Sequence, residues 1–328
     1  MSRHPATFYR YRAFSTATLD SLCNDTLYFA HPGTFNDPMD CKPSLDCDSN
    51  PEQLRALLAF LVRRRVFAEV LESLRKVRLK GENATAHADR RAQSEADREL
   101  ANIEYHATNP EYCVSEIEAK VSLLTHEIER ELLRYYERGV CCFSTTYSSP
   151  LLWSHYGDQH QGLCVGYGLD RNPKPSLHKV IYGGNRTIKT STLFRAFIHD
   201  EHEALDELDR NALLRKARGW SYEREWRLIG AQGLQDSPLL LKEVTFGLRC
   251  SQSVIHSVVQ ALTGRSNHVR FYEMHEDRSR FVLQREPLDL EELNRHYPRT
   301  AISGIEMGFG PIDDDENALS SIRGAIKI

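Results

Sequence analysis

The sequence predicts an α+β fold whose mixed or antiparallel sheet core is interrupted by a helical insertion. Short apolar runs bounded by turn residues occur near the N-terminus and again after Gly139, and charge-rich helical periodicity separates them. The chain has 328 residues with 41% apolar content, enough for a sizeable core. We therefore expect a core domain from residues 1–50 and 139–298, an insertion over residues 51–138 and a tail over residues 299–328.

The N-terminal part alternates between strand and helix signals. Residues 8–12 predict a strand, Ser15 or Thr16 can cap a short helix, and residues 27–30 predict a second strand. A region rich in Pro, Gly and Asn over residues 31–40 then predicts turns.

The predicted insertion carries apolar residues at helical spacing near both of its ends. Its middle, residues 80–98, is polar and Ala-rich with few apolar anchors, so we expect an exposed helix or a mobile connection there. The three arginines at positions 63–65 predict a solvated helix face, with phosphate contact as the alternative.

After Gly139 the chain predicts mostly strands with a few helices. A cap at Ser149 followed by a first-turn proline predicts a short helix over residues 151–156. Helices are also predicted over residues 192–216 and 251–262, and extended segments over residues 140–146, 163–167, 180–182, 220–229, 239–247, 269–274 and 280–288. The acidic run at 313–316 predicts a loosely attached tail, with binding to a basic partner as the alternative.

The extended segment over residues 220–229 is the most informative part of the chain. Side chains alternate along a strand, so Glu223, Glu225 and Arg227 would share one face. Neighbouring carboxylates raise each other's pKa unless a cation or ligand separates them, and such pairs are common at active sites. The alternative interpretation is an edge strand whose charged face is solvated.

Charge and cysteine content limit the classes of function. A formal net charge of −4 and a pI of about 6.4 provide no global basic field for nonspecific nucleic-acid binding. The eight cysteines form no CxxC pair and no apolar signal region opens the chain, so we expect a cytoplasmic protein without a disulfide framework. No run approaches the roughly 20 apolar residues that cross a bilayer, so we expect no membrane partner.

Five motifs occur in an order that matches a known family. They are Tyr-Arg-Tyr-Arg at 9–12, Leu-Tyr-Phe at 27–29 with Phe-Asn-Asp-Pro-Met-Asp at 35–40, Cys-Phe-Ser at 142–144, Leu-Trp-Ser-His-Tyr at 152–156 with Gly162, and Tyr-Glu-Arg-Glu-Trp-Arg at 222–227. Together they resemble the bacterial domain of unknown function 2971 family. The resemblance implies a bacterial or phage-related cytoplasmic protein, and the family name carries no biochemical activity.

A second, more distant resemblance concerns chemistry. An arginine on an early strand, a Ser-Thr-Thr sequence beginning at Ser144 and then a Glu-x-Glu sequence resemble the motif order of the ADP-ribosyltransferases. The resemblance implies that Arg10 or Arg12 would hold a phosphate or ribose of NAD and that Ser144 would shape the nicotinamide pocket. Glu225 would lie beside the nicotinamide ribose, and Glu223 would orient or deprotonate the acceptor.

These residue types suit that reaction. Cleavage of the glycosidic bond of NAD develops oxocarbenium charge, which a carboxylate stabilises more in the transition state than in the ground state. Arginine supplies a permanently charged, forked donor for phosphate. Tyr156 could wall the nicotinamide, and His155, beside it on the same predicted helix, could bind a ligand. The spacing of His155, Asp158 and His160 does not suit a metal site, and we expect none.

The expected function is transfer of ADP-ribose from NAD to a macromolecular acceptor, protein or nucleic acid, as a bacterial toxin or phage-defence effector by analogy. Two alternatives stay open. One is a noncatalytic ligand-sensing or protein-interaction module of a defence system, in which the Glu/Arg face is a structural ion-pair network. The other is a metal-dependent nuclease that would place Asp37, Asp40, Glu223 and Glu225 around magnesium.

Overall fold

The computed structural model describes residues 5–109, 111, 113–136 and 138–299. The acidic run at 313–316 lies outside these residues. The strands are β1 (Phe8–Arg12), β2 (Thr26–Phe29), β3 (Ser44–Asp46), β4 (Gly139–Ser144), β5 (Leu163–Gly168), β6 (His178–Lys179), β7 (Ile181–Tyr182), β8 (Thr187–Lys189), β9 (Arg215–Lys216), β10 (Glu225–Gly230), β11 (Gly233–Asp236), β12 (Leu240–Phe246), β13 (Arg270–Glu276) and β14 (Leu283–Pro287). The helices are α1 (Thr16–Cys23), α2 (Pro51–Lys76), α3 (Glu82–Ala107), α4 (Glu116–Tyr135), α5 (Pro150–Tyr156), α6 (Thr190–Ile198), α7 (His202–Leu213), α8 (Gln252–Leu262) and α9 (Leu290–His296).

One large sheet organises the fold. Eight strands pair in the order β14-β13-β12-β5-β1-β4-β10-β6. β12 and β13 run parallel, and the other neighbouring strands in this sheet are antiparallel. The mixed sheet together with the helices confirms the predicted α+β fold.

Successive side chains of β1 point to opposite faces of the sheet, and the two faces differ in character. Phe8 is fully buried in a core that α1 and α8 help to build. Tyr9 and Tyr11 point to the other face, where Tyr11 packs edge-on against Trp153 of α5 at 5.1 Å between ring centroids. Aromatic pairs prefer this edge-to-face geometry. The same sheet therefore supports an apolar core on one side and a more polar environment on the other.

The sheet splits between β1 and β4. These strands share a single pair, Tyr9 opposite Ser144, after which β1 continues along β5 and β4 continues along β10. Ala30, just after β2, forms an isolated bridge to Val140 on the open side of β4. The split leaves room between two central strands of the sheet.

Three long helices, α2, α3 and α4, follow each other between β3 and β4. Asn50 begins α2 with a capping box and Pro51 at the first turn, features that favour a helix start. Of the two alternatives for residues 80–98, the exposed helix is confirmed, because α3 is a continuous helix that is mostly exposed there and buries Ala88, Ala92 and Ala96 at four-residue spacing. Small side chains are the anchors here, and a search for large apolar residues overlooks them. No helix in the described part of the chain is long and apolar enough to cross a membrane.

The arginines at positions 63–65 are largely solvated, as predicted, because Arg63 and Arg64 are exposed and Arg65 is half-buried, but two of them also make specific contacts. Arg65 Nε lies 2.8 Å from the buried carboxylate of Glu131 on α4. The Arg64 guanidinium lies 4.7 Å from the ring centre of Tyr135, in cation–π geometry. Both side chains therefore tie α2 to neighbouring elements.

Two predicted elements have other bounds in the structure, because the backbone turns within them. The helix predicted over 192–216 is two helices, α6 and α7, because the chain turns between them with Asp200 at a φ of 55°. The extended segment predicted over 220–229 begins late. Residues Arg218–Glu223 form a 3₁₀ turn, Arg224 is left-handed with a φ of 49°, and β10 begins at Glu225.

Candidate functional site

A pocket of about 310 Å³ opens at the split between β1 and β4. Its walls are partly aromatic, and the rings belong to Tyr9, Tyr11, Phe35, Phe143, Tyr156 and Trp220. Pockets of this size with apolar walls and a few convergent polar groups are typical of small-molecule sites. The polar groups of this pocket come from β1, β4, β9 and β10, from the loop after β2 and from the turn before β10.

One row across three neighbouring strands brings predicted residues together. Ser144 pairs with Tyr9 of β1 on one side and with Glu225 of β10 on the other. All three residues line the pocket, as does Arg10 beside Tyr9. Residues 9, 144 and 225 are far apart in the chain, so only the sheet makes them neighbours.

Glu223 reaches the same pocket by a different route. The 3₁₀ turn that ends at Glu223 and the left-handed Arg224 place it next to the start of β10. The Ser144 hydroxyl donates to the Glu223 carbonyl at 2.6 Å, and the Tyr156 hydroxyl donates to Glu223 Oε1 at 2.8 Å. The prediction that Glu223 and Glu225 lie on one strand is wrong, but their carboxylates do converge.

Lys216 joins three of the carboxylates. Its Nζ lies 2.6 Å from Glu223 Oε2, 2.9 Å from Glu225 Oε2 and 3.4 Å from Asp40 Oδ2. Trp220 covers it, with the ring centre 5.2 Å from Nζ. A buried ammonium needs such partners, since an unpaired charge away from water is costly.

Arg227 forms the base of this network and is fully buried. Its Nε donates to Glu225 Oε1 at 2.8 Å, and its Nη2 lies 2.7 Å from Asp40 Oδ2. The charged side of β10 is therefore enclosed, and the alternative of a solvated edge strand is wrong. Trp226 and Leu228 pack in the apolar core of the other face, as the predicted alternation requires.

The two glutamates have opposite pKa shifts. Burial raises the pKa of Glu223, and the nearby Lys216 ammonium only partly offsets it. Burial opposes ionisation of Glu225 as well, but Arg227 and Lys216 outweigh it and lower the pKa of Glu225 to about 2. Carboxylates with pKa values pushed apart by their environments can take different roles in one reaction.

The predicted site residues divide into two groups. Arg10, Ser144, Tyr156, Glu223 and Glu225 line the pocket, whereas Arg12 and His155 are not part of its lining. Strand alternation turns Arg12 away from Tyr9 and Tyr11, and burial followed by the neighbouring Arg10 charge lowers its pKa. His155 lies on the exposed side of α5, with its ring centre 6.2 Å from that of Tyr156.

The sequence did not indicate Lys216 as a pocket residue, and it did not indicate the ion pairs that the loop before β3 makes. Asp37 lies in the turn region predicted over residues 31–40, and its Oδ1 accepts from the Met39 amide at 2.9 Å as a turn requires. Asp40 also pairs with Arg227 and Lys216, 187 and 176 positions away. Nothing local around Lys216 marks it, so no sequence pattern would have singled it out.

The carboxylates do not form a ready metal site. Within the described ranges, no group of three or more His, Cys, Asp or Glu side chains is arranged to hold a metal ion. The position shared by Asp40, Glu223 and Glu225 holds the Lys216 ammonium.

The fold and pocket define an α+β protein with a buried carboxylate network at a split in its sheet. Residues 152–228 match the model of a family described as protein of unknown function (DUF2971). The matched segment contains Tyr156, Lys216, Glu223, Glu225 and Arg227, and it supports the family resemblance drawn from the motifs. No curated protein and no solved structure matches the chain.

Proposed function

We propose that this chain is an ADP-ribosyltransferase that uses NAD to modify a macromolecular acceptor. The observation that carries the proposal is the row of Tyr9, Ser144 and Glu225 across three adjacent strands, with Arg10 and Glu223 lining the same pocket. Arg10, Ser144 and the two glutamates are the residue types of the ADP-ribosyltransferase motif order, and they come from three segments that are distant in the chain.

The proposed roles follow from the charges of the two glutamates. Glu225 remains anionic because Arg227 and Lys216 stabilise its charge, so it can face the oxocarbenium-like C1′ of the nicotinamide ribose. The bond from C1′ to the nicotinamide nitrogen breaks, and nicotinamide leaves with the bonding electron pair. The acceptor nucleophile bonds to C1′ and passes its proton to Glu223, whose raised pKa suits a general base.

Arg10 would serve the phosphate end of the substrate. Its guanidinium donates to the Cys141 sulfur at 2.7 Å and to the Tyr28 carbonyl at 3.0 Å, both neutral acceptors, and no carboxylate of the described residues forms an ion pair with it. Arg12 lies two residues further along the same side of β1 and would add to the positive potential. The pocket volume suits the nicotinamide riboside part of NAD, with the adenosine end outside it.

Specific observations also favour each alternative. The enclosed Arg227, Glu225 and Asp40 ion pairs are what a noncatalytic module with a structural network would contain. Asp37 and Asp40 line the same pocket as Glu223 and Glu225, as a magnesium-dependent nuclease would require. Magnesium would have to displace the Lys216 ammonium, so the geometry supports the nuclease less than the transferase. A toxin or phage-defence role rests on analogy with the transferase class.

The proposal is tested by nicotinamide release from NAD, with cell lysate as the source of acceptor. Wild-type protein is compared with Glu223→Gln and Glu225→Gln, and with Glu286→Gln on exposed β14 as the matched control. We expect release to fall about 100-fold or more in both pocket variants, in line with the loss of a general base or a transition-state anion. The control should match wild type.

Folding must be checked in the same samples, because Glu225 is a member of a buried ion-pair network. Circular dichroism and urea unfolding separate a folded inactive variant from an unfolded one, and Glu223→Gln leaves the Arg227 pairs in place. Folded wild-type protein that releases no nicotinamide with any lysate fraction would refute the transferase and favour the noncatalytic module.

A further inference from the structure

Asp37 has a buried carboxylate oxygen without a partner. The residue is 6% exposed, and it lines the pocket. Its Oδ1 accepts from the Met39 amide at 2.9 Å, whereas its Oδ2 has no hydrogen-bond partner among the described residues. Buried polar atoms are almost always bonded, so an exception of this kind in a pocket points to a missing donor.

The Lys and Arg side chains of the described residues do not pair with Asp37. Lys216 and Arg227 are shared by three other carboxylates, those of Asp40, Glu223 and Glu225. Asp37 makes no ion pair with any residue in the described part of the chain, and a buried carboxylate without a counter-charge is strongly disfavoured. The missing donor should therefore carry positive charge.

The walls beside Asp37 suit an organic cation rather than a metal ion. Phe35, Tyr156 and Trp220 line the same pocket, and aromatic faces attract ammonium and guanidinium groups. Two of these rings already lie near cations of the protein, Trp220 at 5.2 Å from Lys216 Nζ and Phe35 at 5.7 Å from the Arg227 guanidinium carbon. A single free oxygen is one hydrogen-bond acceptor, not the multiple oxygen ligands that a hard metal ion requires.

We propose that Asp37 is a recognition residue whose Oδ2 accepts a hydrogen bond from a cationic nitrogen, an ammonium or guanidinium group, of a ligand in this pocket. The bond would be charge-assisted. Among the described residues, Asp37 is the one pocket carboxylate without a cationic partner, and the ligand would supply that partner. The inference goes beyond the proposed transferase, because cation binding can be measured without NAD.

The test is isothermal titration calorimetry of the full chain with three matched probes. Butylguanidinium and butylammonium carry the cationic nitrogen, and butylurea keeps N–H donors of similar shape without the charge. The variant is Asp37→Asn, and the control is Asp206→Asn on the exposed face of α7. We expect at least one cation to bind wild type about tenfold or more tightly than butylurea, and to lose about tenfold in Asp37→Asn but not in Asp206→Asn.

A second measurement on wild type covers the case in which Asp37→Asn does not fold. The Met39 amide donates to the other oxygen of the same carboxylate, so its NMR resonance should shift on titration with the cation and not with butylurea. In the calorimetry, the proposal is overturned if neither cation binds folded wild type, if butylurea binds as tightly as the cations, or if folded Asp37→Asn binds the cation as wild type does. In the NMR titration, it is overturned if the Met39 resonance does not respond to a bound cation. Failure of nicotinamide release would leave this result unaffected.

Discussion

Two buried glutamates in the same sheet, Glu243 and Glu225, have different surroundings. Glu243 on β12 is 1% exposed, and both of its oxygens are used by the protein. Its Oε1 accepts from the Tyr9 hydroxyl at 2.9 Å and from Arg285 at 2.8 Å, and its Oε2 accepts from Arg270 at 2.7 Å. The Arg285 guanidinium lies between the rings of Tyr147 and Tyr272, 4.0 and 4.1 Å from their centres.

Glu225 is also buried between cations, but its cluster faces a pocket. Next to it are Glu223, with a raised pKa, and Asp37, with an oxygen that has no partner in the described structure. A buried ion pair alone is therefore weak evidence for a functional site. The cavity and the unused acceptor distinguish the Glu225 cluster from the Glu243 cluster, which is complete without a ligand.

The largest expected effect on the free energy of unfolding comes from removing the cation of Arg227. Arg227→Met removes the fully buried partner of Asp40 and Glu225, so we expect a loss of about 3–5 kcal/mol in the free energy of unfolding. Urea unfolding measures it. The exposed Arg280→Met on the loop before β14 is the control and should change the free energy by less than about 1 kcal/mol. A loss below about 1 kcal/mol for Arg227→Met would show that Lys216 alone can balance the cluster.

A smaller effect should appear as pH dependence. The folded-state pKa of Glu225, about 2, is below its ordinary value of 4.5, so its contribution is present above pH 4.5 and is lost as the pH falls towards 2. The lowering corresponds to roughly 3 kcal/mol. Urea unfolding between pH 7 and pH 2.5 should therefore show a shallower acid loss in Glu225→Gln than in wild type. An acid loss as steep as that of the control Glu286→Gln would contradict the assignment.

The smallest expected effect belongs to the Glu243 cluster. Arg285→Met removes one donor and the stacking between two tyrosines, but Glu243 keeps its bonds to Tyr9 and Arg270. We expect a loss of about 2 kcal/mol in the free energy of unfolding and no change in cation binding or nicotinamide release. If Arg285→Met changed either activity while the protein stayed folded, the division between a structural and a functional cluster would fail. Differential scanning calorimetry and the two assays measure these quantities together.

The sequence by itself determined the class of fold and the pattern of β10. Alternating apolar runs and turn residues indicated the strands, Ser149-Pro150 marked a helix start, and the alternation from Glu225 to Leu228 separated the charged face from the apolar one. These features are local, because caps, turns and strand periodicity depend on residues close together in the chain. Ser144 and Glu225, which line the pocket, were singled out by the resemblance of the motif order.

Only the tertiary structure decided which of those charges meet. The left-handed Arg224 turned Glu223 into the pocket, sheet pairing set Ser144 opposite Glu225, and packing brought Asp40 to Arg227 and Lys216. Each of these contacts joins segments distant in sequence or depends on a backbone conformation that a non-glycine residue rarely adopts. Local periodicity carries no information about such long-range contacts, which is why Lys216 and the unpartnered oxygen of Asp37 emerged only from the folded chain.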